Sequence, residues 1–150
     1  MKLDLNRIEK YLLEIIENTG KIEAILGKTN IEEKSLNEIN ILALKYLVIE
    51  ISEAMANVLQ HLLAKQYGIA VKGYLDTVKK AHEKGIISNE LIKKLKPFFD
   101  FRNSLIHRYW VIDDATFLKN LSKGYNDLSD FCVEIKNFLK GGSFDGNTTQ

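Results

Sequence analysis

The sequence predicts an all-α protein. Three observations carry this: a single proline in 150 residues, few of the glycine-containing turn pairs that join strands, and apolar residues recurring every three or four positions along most of the chain. The length fits one domain with room for a real core. Residues 1–140 are expected to form a helical domain and residues 141–150 a disordered tail. Five helices joined by short turns predict a bundle built on an up-down four-helix core.

The first helix is expected over residues 3–18, where Leu5, Ile8, Leu12 and Ile15 fall at helical spacing, and Asn18-Thr19-Gly20 reads as its stop. Residues 21–35 read as a connector with a short helical piece around Ile22, Ile25 and Leu26. The second helix, residues 35–66, is long. Leu44, Leu47, Val48, Ile51, Met55, Val58, Leu59 and Leu62 give it one broad apolar face. A second stripe on it holds Tyr46, Glu50, Glu53, Asn57 and His61, with Ile39, Leu42 and Ile49 nearby. That stripe suits an interface, salt bridges to basic neighbours, a support around a site, or a partly exposed polar surface.

Residues 67–70 break the chain before a third helix over 71–84, buried through Tyr74, Leu75, Val78 and Ala81, with Gly85 as its cap. Ser88 reads as an N-cap with Glu90 in the first turn, and opens a fourth helix. Pro97 lies inside that helix and is expected to bend or break it. A fifth helix is expected from Asp113 or Asp114 to Lys140, buried through Phe117, Leu121, Leu128, Phe131, Cys132, Ile135 and Phe138. Gly141-Gly142-Ser143 ends it.

The composition narrows the function classes. A lone cysteine, Cys132, excludes an intrachain disulfide framework and a cysteine metal cluster, and reads as a small core hydrophobe. No stretch approaches membrane-span length and no leader-like run opens the chain, so a soluble, cytoplasmic protein is expected, with no membrane partner. A net charge of +1 argues against a general nucleic-acid binder. The charge is nevertheless uneven. Residues 72–108 hold nine Lys/Arg against four Asp/Glu, while both flanking regions are net acidic. A local basic field permits RNA contact, and it equally describes a solvated lysine face.

That basic third ends on residues 98–110, a run holding Phe98, Phe99, Phe101, Arg102, Asn103, His107, Arg108, Tyr109 and Trp110. On an ideal helix Leu91, Leu95, Phe98, Phe99, Leu105, Ile106 and Tyr109 share a face, and Arg102 falls at its centre. A charge cannot sit unpaired in a dry core, so Arg102 must meet a carboxylate, a polar cleft or a partner subunit. Glu50 and Glu53 are the intramolecular candidates, and a structural Arg–Glu pair is the plain alternative to a catalytic site. His107, five residues on, is rotated by about 140° from Arg102. Either the helix unwinds here or the site takes groups from two chains.

Arg102, Asn103, His107 and Tyr109 spell R-x4-H-x-Y with asparagine as the first intervening residue, followed by Trp110. The run from Gly85-Ile86-Ile87 through an amphipathic helix to Tyr109-Trp110 resembles the HepT-type toxins of the HEPN superfamily. These are α-helical ribonucleases encoded beside MNT-type nucleotidyltransferase antitoxins. The likeness covers roughly residues 1–140 in helix order, and its specificity rests on residues 85–112. It implies a homodimeric HEPN-type bundle whose two motifs face each other across a cleft. It further implies metal-independent, cofactor-free cleavage of RNA by attack of a 2′-hydroxyl on the adjacent phosphate. In that scheme His107 is general base or acid and Arg102 stabilises the charged transition state. Asn103 positions the phosphate or Arg102, and Tyr109 is the residue the antitoxin modifies with AMP. Glu50, Glu53 and Asn57 form a supporting polar face.

Two further readings stay open. One is a non-catalytic HEPN module that binds a nucleotide or presents a partner to a nucleotidyltransferase. The other is a helical interaction protein with a structural Arg–Glu pair.

Overall fold

The structure is a computed structural model that describes residues 3–27, 36–107 and 113–141, His107 by its backbone alone. Six helices form among them: α1 (Leu5–Leu26), α2 (Glu38–Tyr67), α3 (Tyr74–Glu83), α4 (Asn89–His107), α5 (Asp114–Gly124) and α6 (Asp127–Leu139). There is no strand among the described residues. No helix there is long and apolar enough to cross a membrane.

The expected stop at Asn18-Thr19-Gly20 does not occur. The apolar stripe of Ile8, Leu12 and Ile15 continues through buried Thr19 to Ile22 and Leu26, so α1 carries on to Leu26. Burying Ile22 and Leu26 contributes several kcal/mol by area, against roughly 1 kcal/mol for a glycine inside a helix. Asp4 caps the start of α1 by accepting from the Arg7 amide at 3.0 Å. The Asp4 amide in turn donates to Nε2 of His61 at 3.0 Å, which fixes the first turn of α1 against the far end of α2.

The second helix is capped by Asn37, whose Oδ1 accepts from the Asn40 amide at 2.7 Å, and it closes at Gly68. The third helix starts three residues later than expected, because Gly73 has φ of +104° and no helical turn can form before it. Gly85, at φ +73°, ends that region in the left-handed conformation glycine adopts without a Cβ clash. Of the residues expected to bury α3, Tyr74, Val78 and Ala81 do so, whereas Leu75 is 62% exposed.

Ser88 caps α4 as expected, its Oγ accepting from the Leu91 amide at 3.0 Å. Glu134 of α6 clamps the same residue, accepting from the Ser88 amide at 2.8 Å and from its hydroxyl at 2.6 Å. The break expected at Pro97 does not occur, and α4 passes through it as one continuous helix. The missing donor is offset by buried Leu95, Phe98, Phe99 and Phe101, which pack the helix on both sides of it. Phe101 stacks on Phe117 of α5 with ring centroids 4.4 Å apart.

The expected fifth helix is two. Tyr125 and Asn126 keep helical backbone angles, but the ladder tightens there: the Leu128 amide bonds the Tyr125 carbonyl and the Ser129 amide the Asn126 carbonyl. Gly124 lies at this point with Phe98 against it, where a Cβ would meet the ring at 3.4 Å. Among the described residues the helix count is therefore six where the periodicity suggests five. Cys132 is buried, with its thiol on the Leu12 carbonyl at 3.7 Å, and burial pushes its pKa up to about 11. It is an inert core residue. All but the first residue of the expected tail (residues 141–150) lies outside the described residues.

Candidate functional site

Three helices meet at Arg102. Its place on the buried stripe of α4 leaves the side chain 15% exposed, so the guanidinium needs local partners. Of the two carboxylates the sequence offers, Glu53 takes it: Nε donates to Glu53 Oε2 at 2.6 Å. Nη1 donates to Oδ1 of buried Asn103 at 3.0 Å. The first residue of α3, Tyr74, places its ring beneath the cation, with the guanidinium carbon 4.5 Å from the ring centroid. The remaining N–H groups of the fork bond no described residue, which leaves donors for an incoming oxyanion.

The expected polar stripe of α2 divides into three. Glu53 serves Arg102. Glu50, one turn earlier, serves a different cluster: it lies against Glu14 of α1 and Tyr46. Partial burial pushes the Glu14 carboxyl above its ordinary value, helped by the hydrogen bond and the negative charge of Glu50. The charge of Glu50 also raises the Tyr46 phenol. His61, at the end of the stripe, belongs to the α1 cap, and burial pushes its imidazole down. Asn57 is exposed. The structure thus gathers Arg102, Asn103 and Glu53, and separates Glu50, Asn57 and His61 from them.

Along the uninterrupted α4, His107 is the last residue and lies five positions beyond Arg102, about 140° around the axis. Its side chain, and the whole of Tyr109, fall outside the described residues. Asp100, a negative charge close to Arg102 in sequence, is held by Lys96 at 2.8 Å. Among the described residues no group of three His, Cys, Asp or Glu could hold a metal ion.

The residue that sequence reasoning missed is Tyr74. Its apolar spacing marked it as core, and it is 7% exposed, but its ring face serves a charge. An aromatic placed at a helix start after a glycine was the available signal.

A family model described as "Ribonuclease HepT-like" matches residues 4–135. Among solved structures, the chain is similar to a tri-AMPylated HEPN toxin from Shewanella oneidensis in complex with MNT antitoxin. The two share 16% sequence identity and a TM-score of 0.75, over 87% of this chain and 96% of that one. No curated protein matches the sequence.

Proposed function

The chain belongs to the HepT-like ribonuclease family, and from that premise we propose that it is a toxin that cleaves RNA and is silenced by an MNT-type nucleotidyltransferase antitoxin. The observation that carries this reading is Arg102, held at a three-helix junction by Glu53 and Asn103 with donors to spare, at R-x4-H spacing on one unbroken helix.

In the proposed reaction the 2′-hydroxyl of RNA attacks the adjacent phosphorus. The new O–P bond forms as the bond to the 5′-oxygen breaks, leaving a cyclic phosphate. His107 takes the hydroxyl proton or delivers one to the leaving oxygen, a role suited to an imidazole titrating near neutral pH. The free edge of Arg102 receives the charge that grows on the phosphoryl oxygens. Asn103 acts here through Arg102, which it holds. Glu53 supports the same cation, and Glu50 and Asn57 take no part.

The helix carrying Arg102 and His107 does not unwind between them, which supports a site shared by two copies. Ile39, Leu42 and Tyr46 follow one another at helical steps on α2 and are 75%, 57% and 61% exposed, an apolar strip suited to a homodimer contact. The antiparallel contacts of α1 with α2 and of α4 with α6 support an up-down core for this bundle. The similar solved toxin is tri-AMPylated; Tyr109 is the proposed acceptor here, where added bulk and negative charge would oppose RNA.

Purified protein is expected to cleave RNA in EDTA, and Arg102→Ala or His107→Ala to lower the rate by about a hundredfold or more without dissolving the dimer. Full activity in either variant overturns the mechanism. A second reading draws on the Arg102–Glu53 pair itself, which a purely structural role would also require. It predicts that Arg102→Ala lowers the melting temperature and that the native protein cleaves nothing. A non-catalytic nucleotide-binding module predicts instead ATP binding that Arg102→Ala abolishes. Co-expression with a nucleotidyltransferase encoded beside the chain tests the last step: an AMP mass shift should appear and be absent in Tyr109→Phe.

A further inference from the structure

Among the described residues, Tyr74 meets the proposed site at Arg102. Its ring is gripped from three sides. The hydroxyl donates to the Ser52 carbonyl of α2 at 3.1 Å, the residue before Glu53. Phe99 of α4 meets the ring edge-on, with centroids 5.4 Å apart. The backbone enters α3 through Gly73 at φ +104°, a conformation that side-chain-bearing residues rarely adopt, so the ring is delivered at a fixed point. Burial pushes the phenol far above its ordinary range, which keeps it neutral, and its hydroxyl is committed to the Ser52 carbonyl.

We infer that Tyr74 is a positioning residue for Arg102: its ring is the platform that, with Glu53 and Asn103, sets the plane of the guanidinium and aims its free edge at the phosphate. The inference rests on the ribonuclease reading above. The bonds of Nε to Glu53 and of Nη1 to Asn103 fix two points of the fork, which define an axis about which its plane is still free to tilt. A flat π face under the cation removes that freedom, because attraction is greatest with the guanidinium over the ring. Donors held in advance cost no reorganisation when charge develops on the phosphate. Ser52 and Glu53 are neighbours on α2, so one turn of that helix fixes both the platform and the counter-ion.

The test compares Tyr74→Leu, Tyr74→Met and Tyr74→Phe with the native protein and with Arg102→Ala. RNA cleavage in EDTA gives kcat and KM, phenylglyoxal labelling of Arg102 read by peptide mass gives its accessibility, and thermal melting gives stability. Methionine refills the volume without a π face, so it stands in should the leucine variant fail to fold. The expected result is a kcat about tenfold lower in the Leu or Met variant with KM within about twofold. Arg102 should be labelled several-fold faster there, and Tyr74→Phe, which keeps the ring, should recover most of both. Native kcat and native labelling in the Leu or Met variant overturn the inference. So does a loss of rate that follows melting temperature alone and that phenylalanine does not recover. If Arg102→Ala is inactive while Tyr74→Met cleaves normally, only this inference falls. If Arg102→Ala cleaves normally, the ribonuclease reading falls and takes this role with it.

Discussion

Glu50 and Glu53 sit one turn apart on the same helix and meet opposite fates. Glu53 reaches across to α4 and accepts from Arg102 at 2.6 Å. Glu50 faces α1, where it meets another carboxylate, Glu14, whose own proton affinity is raised by partial burial first and by Glu50 after that. Residue type and spacing are alike; the neighbouring helix decides whether the carboxylate stabilises or strains. The first pair contributes to holding a cation that is mostly out of water. The second is a like-charge contact at a place where exposed Ile39, Leu42 and Tyr46 are also left without cover.

The sharpest way to break this contrast is to reverse the charge at Glu53. Glu53→Lys should press a second cation on Arg102, costing about 2 kcal/mol in chemical denaturation and removing RNA cleavage, because the guanidinium must leave its seat. Unchanged stability in that variant would mean the pair carries no energy. The acidic contact should respond in the other direction. Glu14→Gln should raise stability at neutral pH by about 0.5 kcal/mol. The sign follows from the direction of the shift. A carboxyl whose folded pKa is raised gives stability that is present at low pH and lost as pH rises through that pKa. The gain from Glu14→Gln should therefore appear only above the titration of Glu14 and vanish in acid, which melting curves between pH 4 and 7 would check (roughly the Glu range).

The smallest effect belongs to His61, further along the same helix. Its pKa is lowered from 6.5 by burial, and by Arg7 and Lys65 after that. A lowered imidazole contributes stability that is present above pH 6.5 and is lost as pH falls through the folded value, where protonation removes the acceptor for the Asp4 amide. His61→Gln should flatten that acid limb. A native acid limb in the variant would assign the loss to other groups.

Much of this was legible in the sequence, and the rest fails for reasons that can be named. The helical class follows from periodicity and the scarcity of breakers, and Ser88 announced the start of α4 because its cap is local. The demand of Arg102 for a carboxylate, a polar cleft or a partner subunit followed from its place on an apolar stripe, and Glu53 was one of two intramolecular candidates. The misreadings share a cause. Gly20 and Pro97 look like breaks when judged alone, but packing of Ile22, Leu26, Phe98 and Phe99 overrides them. Conversely, nothing in the apolar set of residues 113–140 marks the interruption at Tyr125, where Gly124 lies against Phe98. Tyr74 and Glu14 were invisible as functional groups because their partners, Arg102 and Glu50, are 28 and 36 positions away. Spacing within one helix reports which residues share a face, not what that face meets.

The double grip of Glu134 on Ser88 gives α4 a fixed origin. Two short bonds tie its start to α6, and Arg102 lies fourteen residues along, roughly 21 Å away. Between them the buried Phe98, Phe99 and Phe101 carry the helix to its second anchor, where Glu53 receives the guanidinium. The helix is thus a beam on two supports, and the arginine of the motif sits on the second of them.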